Sequence, residues 1–332
     1  MNIKKYCNLL RKSNNEVNLN FLEIGARGNV KDFHNFETII NYYGFEPDIV
    51  AFSKKQALLA EVPFAKVKLF CEGVCTETQY KQGPCFLNVT SHEGCSSLLE
   101  PNFDLIREFA GYRHGDPNKA FKDNFSIKET TPISARCLHH FFPEGLSRPD
   151  IIQIDIQGLE IDILRESEII NDCILIDIEL EVLELYKDQV LLKEALSFFE
   201  EKGYSLVRLY NIVEAPRRPM SKWNYVDRGE IVSVDAIFVR FPGLDFLEIL
   251  KFSLTVNFYG FHSLALHYLM KLDGEVLSSE NRLLIDELKK IILRRYRNLN
   301  FFGGIYLRFT LFLRRVKNFK LRSFIIRRIC KL

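Results

Sequence analysis

The chain has 332 residues, which is enough to bury a full core, and its composition of 47% hydrophobic and 27% charged residues is that of a soluble globular protein. The formal net charge of +2 hides an asymmetry, because 14 of the 45 Lys and Arg residues lie in 289–332, which has no acid, and 31 remain against 43 Asp and Glu. The first twenty residues lack an apolar run of seven, so no signal peptide is predicted.

Eight cysteines are scattered through the chain without a CxxC pair. This usage is typical of reduced thiols in a cytoplasmic protein. Cys71, Cys75, Cys85 and Cys95 with His92 form the densest group of metal-ligand types. Their spacing differs from that of a zinc ribbon or finger, so no metal site is predicted.

In the amino-terminal part, the spacing of apolar residues and glycines predicts a strand, a turn, a helix and a second strand. After a short basic helix over 3–12, the strand is expected at Val17–Ile24, with the turn at Gly25–Gly28. Apolar spacing predicts a helix over Asp32–Tyr43, and a short strand at Gly44–Asp48 then ends in an acid. Next come strands at Val67–Cys71 and Pro84–Thr90 and helices at Ile49–Ala60 and Ser134–Phe142.

The polar stretch Asn102–Lys128 is too long for a plain connection, which predicts a lid or a substrate-binding loop. After it, Asp150–Glu160 has a β-branched apolar run that predicts a buried strand of a parallel sheet. Asp155 falls at the carboxyl end of this strand, where open α/β sheets bind their ligands. The alternative is that Asp155 only caps the following helix.

The remaining elements complete an α/β domain. A buried strand is expected at Cys173–Ile178, a helix at Lys187–Lys202, and an antiparallel pair of strands at Tyr204–Tyr210 and Asp235–Phe241. Beyond Gly243 the apolar period is helical throughout. We therefore predict a doubly wound, Rossmann-like α/β domain over 1–243 and an all-helical, basic extension over 244–332.

A nucleotide-type cofactor is indicated by the turn after the first strand. Gly25 and Gly28 allow close approach to the backbone, and Glu46, at the end of the second strand, suits a ribose diol. A nicotinamide dinucleotide is disfavoured, because Arg27 and Val30 occupy the second and third glycine positions of its GxGxxG fingerprint. An acid opening the turn favours a cation, which predicts S-adenosylmethionine with its positive sulfonium.

A set of segments carries a resemblance to a known family: Phe21–Gly28, Gly44–Pro47, Cys95–Asn102, Pro149–Leu164, Glu181 with Leu185–Gln189, and Asp235–Val239. Over about residues 18–240 the sequence resembles the FkbM family of S-adenosylmethionine-dependent methyltransferases. Two positions depart from the family's usual pattern: Arg27 within the turn, and Gln153 in place of a lysine.

The resemblance implies a class I methyltransferase that methylates a hydroxyl, often of a sugar or a polyketide-like acceptor. It places Asp155 beside the methyl donor, with Asp155 or Glu181 orienting or deprotonating the acceptor. His92 is a further candidate base, against the alternative of a loop histidine bonded to its neighbours. The cofactor-binding set expected is Glu23, Gly25, Ala26, Gly28, Glu46, Gly73, Val74 and Asp155.

The basic segment 289–332 predicts an amphipathic helix with aromatic residues and with arginines along its flank. Two interpretations stand equal: it lies on an anionic membrane surface, or it packs on the acidic body or a partner subunit. Nucleic acid is disfavoured, because no recognised binding module accompanies the charge.

The function predicted is therefore O-methylation of a glycan, a lipid-linked saccharide or a related natural product in the cytoplasm, near the inner face of the membrane. The alternative is an inactive methyltransferase-like scaffold, motivated by the departures at Arg27 and Gln153. The sequence leaves the oligomeric state open.

Overall fold

The computed structural model describes residues 3–13, 17–110, 120–218 and 229–295. Their centre is a seven-stranded sheet in the order β10-β11-β9-β8-β1-β2-β3. Its strands are β1 (Leu19–Ile24), β2 (Ile40–Phe45), β3 (Lys66–Phe70), β8 (Ile151–Ile154), β9 (Leu175–Glu181), β10 (Ser205–Ala215) and β11 (Glu230–Val239).

The first five of these strands in chain order pair in parallel, and β11 runs antiparallel to both of its neighbours. Because β1 lies between β2 and β8, the chain reverses its winding direction there, and the carboxyl ends of these strands open a crevice at that edge. The sheet is the doubly wound α/β architecture of class I methyltransferases, as predicted.

Two short sheets flank the main one. β4 (Gly73–Val74) pairs in parallel with β7 (Ala135–Arg136), and β5 (Cys85–Thr90) pairs antiparallel with β6 (Ile127–Ile133). The helices are α1 (Ile3–Lys12), α2 (Ile49–Ala60), α3 (Glu77–Gln82), α4 (Phe103–Ile106), α5 (Phe121–Asn124), α6 (Glu160–Glu166), α7 (Leu192–Glu201), α8 (Phe246–Phe258), α9 (His262–Lys271) and α10 over 279–295.

Alternation along the strands divides the core between the two faces of the sheet. In β1, Leu19 and Phe21 pack with α1, α8, α9 and α10, whereas Leu22 and Ile24 pack on the face covered by α6 and α7. The predicted boundary at Gly243 is followed by helices whose buried residues, such as Phe258 and Ile292, share this first core. The predicted basic helix lies mostly in 296–332, outside the described residues.

Several predicted elements were wrong in type or extent; β10 continues to Ala215, and β11 already begins at Glu230. Asp32–Tyr43 holds a short 3-10 helix (Glu37–Ile39) and most of β2. The apolar residues of this stretch are buried on both faces of the strand and in the segment before it, so their spacing imitates a helical period. Ser134–Phe142 is β7 followed by the 3-10 helix Leu138–Phe141. α7 begins only at Leu192, after Asp188 adopts a positive φ of 61°.

The predicted lid is described only in part, since 111–119 lie outside the described residues. Its described ends form α4, α5 and the start of β6. Phe109, Phe121 and Phe125 pack together against Tyr186, so these ends belong to a core of their own. No helix among the described residues is long and apolar enough to cross a lipid bilayer.

Candidate cofactor and active site

A cavity of about 240 Å³ lies at the carboxyl ends of β1, β2 and β8. Its walls come from the turn after β1, from Phe45–Pro47 at the end of β2, from β4, from a loop over 93–98 and from the turn after β8. Apolar side chains such as Val74, Leu98 and Leu159 form much of the surface, and Glu46 and Asp155 add carboxylates. A mostly apolar cavity with a few convergent polar groups is the usual form of a cofactor site.

The turn after β1 is held tightly between the neighbouring strands. Gly25 has φ of +84°, and a Cβ there would lie 2.0 Å from the carbonyl oxygen of Asp155. The amides of Gly25 and Ala26 both donate to the carbonyl of Phe45, at 3.1 and 2.8 Å. Only glycine fits this position, and its backbone brings the β1 and β8 turns together. Ala26 is buried, and Gly28 lines an adjoining cavity.

Glu23 supports this turn from beneath the cavity. Its carboxylate accepts hydrogen bonds from the Tyr42 hydroxyl and, at 3.0 Å, from Lys55 Nζ. Lys55 is 1% exposed and also donates to the Asn29 carbonyl at 3.0 Å. Burial raises the pKa of Glu23, and the nearby Lys55 charge and the Tyr42 hydrogen bond oppose this rise. The carboxylate predicted to bind cofactor is therefore occupied by protein groups.

Glu46 lines the cavity with its carboxylate buried at the end of β2. Its Oε1 accepts from the Asp48 amide at 2.9 Å, and Arg27 Nε lies 3.9 Å from its Oε2. Burial raises the pKa of Glu46, while the Asp48 amide and the Arg27 charge lower it. Since a carboxylate offers about four acceptor sites, Glu46 retains capacity for two hydroxyl donors.

Arg27 connects three acids at the mouth of the cavity. Besides Glu46, its guanidinium lies 3.5 Å from the Asp48 carboxylate and 3.5 Å from that of Glu93. Glu93 and the adjacent Gly94 both line the cavity. Arg27 thus joins the β1 turn, the start of α2 and the loop after β5.

Asp155 lies exposed at the cavity edge and is the predicted catalytic residue that the structure places there. The Gln157 amide donates to Asp155 Oδ1 at 2.8 Å and to Glu179 Oε2 at 2.5 Å. The Tyr186 hydroxyl lies 2.9 Å from both Gln157 Oε1 and the Cys95 carbonyl oxygen, and these two acceptors share its one hydrogen. Burial and the neighbouring charges of Asp155 and Glu181 raise the pKa of Glu179 well above its usual range.

Glu181 lies deeper in the protein than Asp155 and does not line the cavity. Burial, followed by the charge of Glu160, raises its pKa well above the usual range. Burial raises the pKa of Glu160 to about 7, although this carboxylate accepts from the Ile156 and Gly158 amides, each at 2.8 Å. Glu160 thereby holds the turn that carries Gln157.

The other predicted site residues lie on two sides of the cavity. Gly73 and Val74 line it from β4. His92 is exposed and precedes the 3-10 helix Glu93–Cys95, with its Nδ1 3.8 Å from the Cys95 sulfur. It is therefore near the cavity wall without lining it.

Two residues that hold Asp155 in place, Gln157 and Glu179, were not among the predicted site residues. Gln157 follows Asp155 within the same strand-turn-helix segment and has a positive φ of 64°. Glu179 lies on β9, next to β8 in the sheet. The position of both beside a predicted carboxyl end was the available signal.

These residues fit S-adenosylmethionine. Glu46 would hold the ribose hydroxyls, the apolar surface near Val74 and Leu98 would hold the adenine, and the Gly25 turn would hold the methionine part. The exposed carboxylate of Asp155 is placed for work on an acceptor at the cavity edge.

The sheet order and this cavity define a class I methyltransferase. A family model described as the methyltransferase FkbM domain matches residues 23–206. The chain belongs to this family, and the predicted family, the fold and the assignment to the methyltransferases are confirmed at this level. A comparison with curated proteins found no match.

Several solved methyltransferase structures are similar to this chain at low scores. Precorrin-6y C5,15-methyltransferase from Geobacter metallireducens has 12% identity and a TM-score of 0.28, over 71% of this chain and 86% of its own. Magnesium protoporphyrin IX methyltransferase from Synechocystis PCC 6803, with bound S-adenosylmethionine, has 8% identity and a TM-score of 0.30, over 72% and 77%. The family match carries the assignment.

Proposed function

We propose that the protein transfers a methyl group from S-adenosylmethionine to a hydroxyl of a glycan, a lipid-linked saccharide or a related natural product. The observation that carries this proposal is the exposed Asp155 carboxylate at the cavity edge, held by the Gln157 amide. The cofactor supplies a methyl group on a positively charged sulfur. The residues of this chain bind it, orient the acceptor and accept the acceptor's proton.

The charge around Asp155 favours a neutral, hydroxyl-rich acceptor. Burial, and after it nearby acidic charges that include Asp155, raises the pKa of Glu179 and of Asp235. A phosphate or a carboxylate on the acceptor would be repelled by this group, whereas hydroxyls donate hydrogen bonds to it. This argument supports an alcohol as the methylated group.

Asp155 acts as the general base in this proposal. Its Oδ1 accepts the Gln157 amide, and the exposed carboxylate receives the proton of the acceptor hydroxyl as the methyl group is transferred. Glu179 does not line the cavity, so it does not compete for this role. Gln157 holds the base in position through its second hydrogen bond, to Glu179.

Replacing Asp155 with asparagine is expected to lower methyl transfer about 100-fold, because general-base catalysis contributes at least that much. Cofactor binding should stay within about three-fold, since Asp155 contacts the acceptor in this proposal. The measurement combines transfer of labelled methyl from S-adenosylmethionine to a panel of saccharides with calorimetric titration of the cofactor.

The control is Asp104→Asn, which removes an exposed carboxylate on α4, away from the cavity. Unchanged transfer by the Asp155 variant would exclude Asp155 as the base. A protein that binds cofactor and methylates none of the hydroxyl acceptors would contradict the substrate class.

We further propose that the basic carboxyl-terminal segment attaches the enzyme to an anionic membrane surface. The support is the composition of 289–332, which has 14 Lys and Arg residues, no acidic residue and several aromatic residues. Removal of 298–332 keeps Ile291 and Ile292, which are buried in the core. We expect the full chain to sediment with phosphatidylserine vesicles and the shortened chain to stay in solution. Equal sedimentation of the two forms would contradict the proposal.

A further inference from the structure

Three metal-ligand side chains meet beside β4 and β7. The ligand atoms of Glu77, His139 and His140 all lie within 4.8 Å of one another. Among the described residues, these three form the one group of at least three side chains that could hold a metal ion. It involves different residues from the cysteine group considered in the sequence.

Both segments that carry the cluster are held firmly. Glu77 lies in the first turn of α3, where Thr76 and Gln79 form a capping box. Its amide donates to the Glu166 carboxylate at 2.6 Å. The histidines belong to the 3-10 helix Leu138–Phe141, which is anchored by its buried first and last residues. The backbone therefore presents the three side chains in a fixed arrangement.

The donor atoms match the requirements of zinc. Glu77 Oε1 lies 3.2 Å from His139 Nε2. Neighbouring ligands on a tetrahedral Zn²⁺ with bonds of about 2.0–2.1 Å are about 3.3 Å apart. Nδ1 of His140 is buried and has no hydrogen-bond partner among the described residues. Two imidazoles and one carboxylate form a donor set that Zn²⁺ commonly takes.

We propose that Glu77, His139 and His140 bind one Zn²⁺ ion, with water completing its coordination. The competing explanation is that protein groups alone satisfy Glu77. Its carboxylate is hydrogen-bonded with the Cys137 side chain, lies 3.3 Å from Lys81 Nζ and would form an ion pair with a protonated His139. That explanation gives the buried Nδ1 of His140 no hydrogen-bond partner among the described residues.

A bound ion would connect two segments that build the cavity wall. Glu77 follows β4, which contributes Gly73 and Val74 to the cavity, and His139 follows β7, the partner strand of β4. The ion would therefore stabilise this pair of short strands from outside the cavity. Zinc binding at this cluster is independent of the acceptor and of methyl transfer.

The test uses the full chain without a histidine tag, freed of metal by dialysis against a chelator. Zn²⁺ is titrated in competition with a chromophoric zinc indicator, and Co²⁺ spectra report a tetrahedral site. We expect one Zn²⁺ per chain, weakened at least about 10-fold in Glu77→Gln and in His139→Ala, since loss of even an outer partner of a ligand costs that much.

The matched control is His267→Ala, which removes an exposed histidine on α9, outside the cluster. This variant should bind Zn²⁺ as tightly as the unaltered chain does. Zinc should raise the Tm of the control variant and of the unaltered chain, but it should leave the Tm of His139→Ala unchanged. The proposal is overturned if the unaltered chain binds no stoichiometric zinc. It is equally overturned if the two cluster variants bind zinc as tightly as the control, which would assign the ion to other side chains such as the thiols.

Discussion

Replacing Lys55 with methionine is expected to lower the free energy of unfolding by about 3–5 kcal/mol, the usual cost of removing one partner of a buried ion pair. Lys55 is 1% exposed, and its Nζ lies 2.9 Å from Glu23 Oε2. Without the ammonium, the Glu23 carboxylate stays buried with only the Tyr42 hydroxyl as a side-chain donor. Urea unfolding followed by circular dichroism measures the loss.

The adjacent residue provides the matched control. Lys54 is exposed on the same helix, so Lys54→Met should change the stability by less than about 0.5 kcal/mol. Adding Glu23→Gln to Lys55→Met removes the unpaired charge and should recover part of the loss. If Lys55→Met unfolds at the same urea concentration as Lys54→Met, the buried pair does not stabilise the fold.

The loss should also depend on pH. Burial already raises the pKa of Glu23, and Lys55 opposes that rise, so removing Lys55 raises the pKa further. A raised pKa in the folded state means that the folded variant binds its proton more readily than the unfolded chain does. The stability difference between the variant and the unaltered chain should therefore shrink as the pH falls toward the raised pKa and widen as it rises.

Most strands could be predicted because each carries its own pattern. The run of isoleucines in β8 and the acid after it located the centre of the sheet and the cavity edge from local residues alone. β2 was misassigned because its burial on both faces depends on helices far away in the chain, including α8. Periodicity records which residues are apolar, but it does not record what covers them.

Two of the four carboxylates predicted for the site line the cavity. These are Glu46 and Asp155, which lie close together because the ends of parallel strands share one edge of the sheet. The engagement of Glu23 by Lys55 could not be read from spacing, since 32 residues separate them. Gln157 was missed because its role depends on hydrogen bonds with Glu179 on β9 and with Tyr186 in the loop after β9. No local sequence pattern encodes such contacts.

Replacing Glu46 with alanine is expected to weaken S-adenosylmethionine binding about 1,000-fold while the fold is kept. The estimate follows from two hydrogen bonds between ribose hydroxyls and a charged acceptor, each contributing about 1.5–3 kcal/mol. Glu46 is buried at the cavity wall and keeps unused acceptor sites beside the Asp48 amide. Calorimetric titration with S-adenosylmethionine and S-adenosylhomocysteine measures the effect.

Glu61→Ala is the control, because Glu61 is an exposed carboxylate at the opposite end of α2 from Glu46. Its affinity should equal that of the unaltered chain, and far-ultraviolet circular dichroism should show all three proteins folded. Unchanged affinity in a folded Glu46→Ala variant would remove Glu46 from the ribose site. If the unaltered chain itself binds neither compound, the inactive scaffold becomes the better explanation, and Arg27, which holds Glu46, Asp48 and Glu93 together across the cavity mouth, would be the feature that closes the site.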